Sequence, residues 1–299
     1  MNKLDNEFYI DKTDVKEAFN QAAHRYDTAA VLQREVADRL LERLDLIRID
    51  PHSVVDIGSG TGYCTRALKK RYRAAQVVGV DLAHAMLTTA QQTTPWWERL
   101  TKRNHWLCSD AEQLALTSQS VDMIFSNLTL QWCNNLEGAF GEFHRTLKPG
   151  GLFMFTSFGP DTLKELRTSW RAVDAYNHVN AFIDMHDIGD ALLRAGFSDP
   201  VIDVETITLT YKEVMQLLHE LKTIGAHNIT AGRARGLTGR HTFAAMCAAY
   251  EQHRNNGLLP CTYEVVYGHA WRLERTAMAP TNGQPIKIAP HDIRRNPRR

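Results

Sequence analysis

The sequence has little that would staple, anchor or steer it as a whole. Its five cysteines, Cys64, Cys108, Cys133, Cys247 and Cys261, lie far apart, and no two form a CxxC pair. That spacing offers neither a disulfide framework nor a set of zinc ligands, so no metal is expected and a reducing compartment is. No stretch approaches the ~18 consecutive apolar residues of a membrane span. The first residues, Met1-Asn-Lys-Leu-Asp-Asn-Glu7, lack the apolar segment of a signal peptide. A cytoplasmic protein without membrane attachment is the expectation. The formal net charge is only +1, from 35 Lys and Arg against 34 Asp and Glu, which leaves no global attraction to nucleic acid. Any steering of a partner must come from a local patch. Neither an internal repeat nor a Pro/Ser-rich linker divides the 299 residues, so a single domain over residues 1–274 is expected rather than two units.

What is present is patterned hydrophobicity whose period changes along the chain. Asp14 and Glu17, three residues apart, read as a capping box that opens a helix with Val15, Phe19 and Ala22 on one face. A second helical pattern, Val31, Val36, Leu40, Leu41 and Leu44, ends before Pro51. Beyond it, short runs rich in β-branched residues at Val54–Ile57, Val77–Val80, Val121–Ser126 and Leu152–Thr156 alternate with helical segments such as Tyr63–Arg71 and Leu136–Leu147. That alternation predicts parallel βαβ units and a sheet covered on both faces.

After Phe158 the alternation loosens. Asp161–Tyr176 reads as an extra helix, Asp187–Gly196 as a short amphipathic helix closed by glycine, and Val201–Tyr211 as a strand. Residues 212–254 are largely helical but broken by the basic, Gly-rich Ala231-Gly-Arg-Ala-Arg-Gly-Leu-Thr-Gly-Arg240, and Thr262–Leu273 reads as a last strand. The expected layout is N-terminal helices at 12–47, a core at about 50–158 plus 184–211 and 258–274, and cap insertions at about 160–183 and 212–257. The Pro-rich, basic residues 275–299 have too little apolar content to order and are expected to be disordered.

The segment that carries most chemical information is Val54-Val-Asp-Ile-Gly-Ser-Gly-Thr-Gly62, a strand running into alternating glycines and then a helix. Glycine is needed where the backbone turns tightly and must approach a ligand without a Cβ in the way. A dinucleotide site has the spacing G-x-G-x-x-G and aims a helix N-terminus at a pyrophosphate. Here the third glycine comes one residue early, which suits a ligand without phosphate. Asp81 ends the next strand about 20 residues later, the spacing at which a carboxylate reaches ribose hydroxyls. Cys108-Ser-Asp110-Ala111-Glu112 follows a third strand and Asn127 ends the fourth. Ligands in open α/β sheets bind outside the carboxyl ends of the strands, where all four segments end.

This order of motifs resembles the class I S-adenosylmethionine-dependent methyltransferases over roughly residues 50–160, with Lys148-Pro-Gly-Gly151 as the family's usual turn. The resemblance implies a doubly wound, seven-stranded, mostly parallel, Rossmann-like sheet whose last two strands form an antiparallel hairpin. It implies S-adenosylmethionine as cofactor, with Asp56, Gly58, Ser59, Gly60 and Gly62 around the methionine moiety. Asp81 and Leu82 would then hold the ribose, Asp110 and Ala111 the adenine, and Asn127 would lie near the methionine end.

Further segments narrow the likeness. Phe19-Asn-Gln-Ala-Ala-His-Arg-Tyr26-Asp27, Asn127-Leu-Thr-Leu-Gln-Trp132, Phe155-Thr-Ser-Phe-Gly159, Thr162-Leu-Lys-Glu-Leu166 and Asp184-Met-His-Asp187 are similar to the malonyl-acyl-carrier-protein O-methyltransferases of biotin synthesis. That resemblance implies methylation of the free carboxylate of a malonyl thioester on acyl carrier protein, or on coenzyme A, with neither nucleic acid nor membrane as partner. A carboxylate is already ionised at neutral pH, so no general base is required. Carboxylate and sulfonium both lose charge on approach to the transition state. A tight Arg salt bridge would therefore stabilise the ground state more. A Tyr or His hydrogen bond, or a loosely placed Arg, serves better, which points to Tyr26, and more weakly to Tyr176, His178 and His186. Trp132 either roofs the cofactor or fills the core. Carrier proteins are acidic, and the inserted segments carry Lys164, Arg167 and Arg171 at helical spacing and Arg233, Arg235 and Arg240 on the Gly-rich loop. These six form the candidate docking surface, against the plainer reading of a solvated charged face. Two alternatives remain: the same fold acting on another small carboxylate or a quinone-type carbon, and a non-catalytic cofactor-binding scaffold.

Overall fold

The computed structural model describes residues 9–95, 104–226, 228–230, 232, 233, 236 and 238–273. Seven strands, β1 (Ser53–Ile57), β2 (Gln76–Asp81), β3 (Asn104–Cys108), β4 (Val121–Ser126), β5 (Leu147–Phe158), β6 (Phe197–Tyr211) and β7 (Leu259–Arg272), form one sheet in the order β3-β2-β1-β4-β5-β7-β6. The first five pair in parallel, while β7 runs antiparallel between β5 and β6. The central strands are apolar on both faces, with Val54, Val55, Met123, Ile124, Leu152 and Phe153 fully buried, as a sheet covered by helices on both sides requires. The edge strand β6 instead alternates partly buried with exposed residues.

Ten described helices surround the sheet: α1 (Lys12–Ala22), α2 (Tyr26–Ala29), α3 (Val31–Arg43), α4 (Tyr63–Arg71), α5 (His84–Thr93), α6 (Leu136–Thr146), α7 (Lys164–Arg171), α8 (Met185–Arg194), α9 (Val214–Thr223) and α10 (Arg240–Glu251). Their apolar stripes sort into two layers. Val36 and Leu40 of α3, Leu68 of α4, Trp170 of α7 and Tyr250 of α10 pack with Met123, Phe125 and Met154 on one face. Phe140 and Phe143 of α6 and Ile188 and Leu192 of α8 pack with Val55, Ile124 and Phe153 on the other. None of the described helices is long and apolar enough to cross a membrane.

Several boundaries differ from the sequence expectation for identifiable reasons. The first helix is capped by Asp11, whose carboxylate accepts the Thr13 N–H at 2.7 Å, so the expected capping box at Asp14 lies inside the helix. Asp14 instead pairs with Arg233 at 2.9 Å. The extra helix is shorter than Asp161–Tyr176. It starts after Leu163, whose φ of +57° breaks any earlier helical turn, and ends before Asp174 accepts the Tyr176 N–H at 3.0 Å. Asp184 caps α8 through the His186 N–H at 2.8 Å, which moves that helix start upstream of Asp187. Strand β6 begins at Phe197 rather than Val201, its pairing slipping between Ser198 and Val201 around Asp199 at φ +49°. The tail at 275–299 and Arg235 lie outside the described residues.

Candidate active site

The glycine loop that follows β1 is fastened to the neighbouring strand, since Gly58 and Ser59 donate their N–H groups to the Val80 carbonyl at 2.8 and 3.0 Å. Its glycines are needed for different reasons. A Cβ on Gly58 (φ +72°) would lie 1.8 Å from Thr129 Oγ1, and one on Gly62 (φ +83°) 2.6 Å from the Trp106 ring. A Cβ on Gly60 (φ +52°) would meet nothing within 4 Å, because Gly60 faces an open cavity. Left-handed backbone explains glycine at all three, but only at Gly60 is the space a Cβ would take left for a ligand.

Two aspartates support this loop from different depths. Asp81, at the end of β2, accepts the N–H groups of Gly60 and Ala83, both at 2.8 Å. Burial raises its carboxyl to about 6 even though these bonds pull the other way. Asp56 is 1% exposed and accepts the Thr65 hydroxyl at 2.5 Å. Burial, reinforced by the nearby charge of Asp81, pushes it up to about 7. Asp81 lines the cavity; Asp56 sits behind the loop and does not.

A cavity open to solvent lies in front of Gly60 and Asp81. Of the sequence candidates, Gly58, Gly60, Asp81, Leu82, Asp110, Ala111, Asn127 and Tyr26 line it, whereas Asp56, Ser59 and Gly62 do not. Asp110 accepts from Lys12 Nζ at 3.1 Å and from the Glu112 N–H at 3.0 Å, and Lys12 also pairs with Glu112 at 2.8 Å. Asn127 is held at both ends, donating to the Gln33 carbonyl at 3.0 Å and accepting the Thr156 hydroxyl at 2.8 Å. The next residue, Leu128, has φ +50°, and its N–H donates to Thr156 Oγ1 at 2.9 Å. Tyr26 is half-buried, and burial together with Asp81 holds its phenol well above the ordinary value, so it is a neutral donor. Trp132 roofs the cavity, packed edge to face on Phe19 at 5.2 Å.

Two cavity residues escaped the sequence reading. The Oε1 atoms of Gln33 and Gln131 are buried without a hydrogen-bond partner, yet both side chains line the cavity. Gln131 lies inside the Asn127–Trp132 segment, so its neighbourhood was readable. Gln33 sits on α3, and nothing local to that helix marks it.

The far end is built from Phe158, Thr162, Leu163, Asn180, Phe182, Leu221, Ile224 and Tyr263. Strand β7 fixes the turn there. Leu163 donates its N–H to the Thr262 carbonyl at 2.7 Å, and the Thr162 hydroxyl both donates to the Glu264 carbonyl (3.1 Å) and accepts the Glu264 N–H (3.0 Å). Leu128 and Leu163, both non-glycine residues in left-handed backbone, flank the cavity, a form of strain that persists only where the surroundings enforce it. Among the described cavity residues Lys12 is the one Lys or Arg, and Asp110 and Glu112 already engage it. No group of three or more His, Cys, Asp or Glu among the described residues is placed to hold a metal.

Comparison with known proteins decides the family. A methyltransferase domain matches residues 55–155. Curated proteins named malonyl-acyl-carrier-protein O-methyltransferase are 52% identical in Gallionella capsiferriformans (89% of this chain, 93% of that protein), 54% in Laribacter hongkongensis (89% and 91%) and 49% in Methylovorus (95% and 96%). The chain belongs to the malonyl-acyl-carrier-protein O-methyltransferase family. Among solved structures, the YcgJ protein of Bacillus subtilis superposes with a TM-score of 0.56 at 13% identity, covering 81% of this chain and 99% of that one. A structure described as a putative methyltransferase from Bacillus halodurans gives 0.55 at 14% identity, covering 78% and 97%. These two establish the fold.

As a member of this methyltransferase family, the chain uses S-adenosylmethionine as methyl donor, and its cavity fits that group. The orphaned oxygens of Gln33 and Gln131 are acceptors suited to an ammonium or hydroxyl donor, and the space in front of Gly60 is where a Cβ would obstruct. The remaining candidates lie elsewhere. Tyr176 is 59% exposed, and His178 stacks on Trp170 at 3.7 Å and bonds Asp174 at 2.9 Å; both line a neighbouring cleft, not the cavity. His186 is exposed at the start of α8 beside Asp184. Nor are the basic residues one free patch. Lys164 pairs with Asp161 at 3.0 Å and Arg233 with Asp14, while Arg167 donates to the Pro160 and Thr162 carbonyls at 2.7 and 2.9 Å. Arg171 and Arg240 are exposed or nearly so.

Proposed function

We propose that this enzyme transfers the methyl group of S-adenosylmethionine to the free carboxylate of a malonyl thioester on acyl carrier protein, giving the methyl ester that enters biotin (pimeloyl) synthesis. The relatives' names supply the substrate. The observation in this chain that carries the reading is the neutral far end of the cavity, where no free Lys or Arg stands among the described residues.

When bound, S-adenosylmethionine supplies a methyl carbon on a cationic sulfur; a carboxylate oxygen forms the new O–C bond as the C–S bond breaks, with its electron pair left on sulfur. Opposite charges annihilate along that path. A cation fixed on the carboxylate would therefore deepen the ground state more than the transition state. Neutral donors orient the carboxylate without that penalty, and the Tyr26 phenol is such a donor in the cavity wall. Gly60, Asp81, Asp110, Asn127, Gln33 and Gln131 would hold the cofactor. Phe19, Trp132, Phe158 and Phe182 close the cavity with apolar surface, which excludes water and strengthens the polar contacts inside. No side chain has to take a proton. Esterification removes a charge that the apolar pockets of later chain-elongating enzymes would have to bury unpaired, at several kcal/mol or more. The role places the enzyme in the cytoplasm with carrier protein as its partner, and with neither nucleic acid nor membrane.

Mass spectrometry of malonyl carrier protein incubated with enzyme and cofactor is the direct test. The malonyl group should gain one methyl and lose it again on mild alkaline ester hydrolysis. Unmodified malonyl carrier protein, with methylation of a free small carboxylate or a quinone instead, would overturn the substrate assignment.

A further inference from the structure

A second cleft adjoins the cavity and shares two of its residues, Asn180 and Phe182. It lies between α7 and the segment 176–182 and is open to solvent. Its floor is stiff. His178 is flat on Trp170, with ring centroids 3.7 Å apart and planes 5° from parallel, and is tied to Asp174. Asn228 donates its amide to the Asn177 carbonyl.

Two features of this cleft bear on a ligand. Arg167 and Arg171 both line it; Arg167 donates to the Pro160 and Thr162 carbonyls, and neither arginine forms an ion pair with a carboxylate among the described residues. Burial, followed by the neighbouring charge of Arg171, works against the charge on Arg167, and Asp161, which offsets this in part, is already paired with Lys164. Two positive charges without a carboxylate partner on one cleft are relieved by a bound phosphate group, which the exposed Arg171 is free to contact. The second feature is at the junction of the two spaces. Asn180 is only 7% exposed, and its Oδ1 is buried with no partner. A buried amide oxygen without a donor is destabilising unless a ligand supplies the N–H.

The substrate of the proposed reaction has these complementary groups in the required order. Its reacting carboxylate lies at one end of a chain that carries amide N–H groups in the middle and a phosphate at the other end. We infer that the second cleft receives the phosphopantetheine arm of the thioester, with the phosphate between Arg167 and Arg171 and an arm amide donating to Asn180 Oδ1. This assignment rests on the proposed function. It gives Tyr176, exposed on the cleft, and His178 a place along the arm instead of at the carboxylate. Carrier protein and coenzyme A share this arm, so the cleft recognises the chemistry common to both.

The test compares malonyl thioesters of pantetheine, phosphopantetheine, coenzyme A and carrier protein as substrates. For the wild-type enzyme the phosphopantetheine thioester should have a KM about tenfold below that of the phosphate-free pantetheine thioester, as expected for one charge-assisted contact. In Arg171→Ala, and more fully in the Arg167→Ala/Arg171→Ala double variant, that ratio should collapse toward one, while Arg171→Lys should keep part of it. Asn180→Leu should raise KM for all four thioesters. Retained binding of S-adenosylhomocysteine, read by calorimetry, shows that each variant is folded. Equal wild-type KM values with and without phosphate would overturn the cleft assignment while leaving the methyl transfer intact. A loss in Arg171→Ala confined to the carrier-protein substrate would overturn it too, because those arginines would then be touching protein and not the arm. Failure of the wild-type enzyme to methylate any of the four would instead bring down the proposed function, and this inference with it.

Discussion

The two ends of the cavity are assembled in opposite ways. At the cofactor end the frame is set by residues at strand ends, Gly58 and Gly60 after β1, Asp81 at the end of β2, Asp110 after β3 and Asn127 after β4, with Gln33 added from α3 and Gln131 from the turn after Asn127. The polar atoms of the strand-end residues are largely engaged already, Asp81 with two backbone N–H groups and Asn127 with Gln33 and Thr156. At the far end the residues come from separated segments around 158–163, 180–182, 221–226 and 263, and a buried oxygen, Asn180 Oδ1, waits without a donor. Both ends keep buried oxygens open for a ligand, Gln33 and Gln131 Oε1 at one and Asn180 Oδ1 at the other, but only the cofactor end sets its frame on consecutive strand ends, whereas the far end draws its residues from wherever the chain passes.

The largest expected effect bears on the cofactor end and appears as stability. Asp56 has a native carboxyl raised from 3.8 to about 7 by burial. The native state therefore holds this proton more tightly than the unfolded chain does. Its contribution is fully present below about pH 4 and is lost as pH rises toward 7. The shift corresponds to as much as about 4 kcal/mol. Chemical denaturation of the wild type and of Asp56→Asn should show the stability difference moving in favour of the variant between pH 4 and pH 8. A difference independent of pH would mean that the cofactor end is not strained by a buried charge.

The next effect separates ligand space from packing space. Gly60→Val should weaken S-adenosylmethionine binding by about 100-fold or more, since its side chain enters the open cavity, with a cost to the fold limited to the backbone strain of a side chain at φ +52°. Gly58→Ala should instead lower the melting temperature, because its Cβ would overlap Thr129. Normal cofactor affinity in Gly60→Val, measured by calorimetry, would remove the distinction between the two glycines.

The smallest effect concerns the basic residues on the inserted segments. Lys164 and Arg233 are each in an exposed ion pair with a residue of their own chain. Such pairs contribute about 0–1 kcal/mol. Lys164→Ala and Arg233→Ala should change KM for the carrier-protein substrate by less than about twofold, well short of the effect at Arg171. A large effect at either would restore the broad docking surface that the sequence suggested.

Legibility in the sequence follows the same division. The parallel strands and the glycine loop were readable because each depends on neighbours within a few residues: a β-branched run, a turn, an acid at the next strand end. The start of α1 was misplaced because Asp11 and Asp14 are both competent caps, and the choice falls to Arg233, more than two hundred residues away, which pairs with Asp14. Tyr176 and His178 have the right side chains for a carboxylate site but stand on the wrong side of Asn180, which no local pattern encodes. Gln33 was invisible for the converse reason, a helical residue whose role comes only from the loop that Asn127 brings to it.

The antiparallel insertion of β7 between β5 and β6 has a consequence in time as well as in space. A chain leaving the ribosome completes β1 to β5, and with them the whole glycine-loop region, before Thr262 and Tyr263 have been made. The bonds joining Thr162 to Glu264 close a loop of about a hundred residues, the kind of contact that is slow to form. Until they form, the turn with the left-handed Leu163 has only its local bonds, such as those from Arg167 to the Pro160 and Thr162 carbonyls, to hold it. The half of the molecule for the methyl donor can thus mature during synthesis, whereas the half for the acceptor is assembled only when the last strand docks.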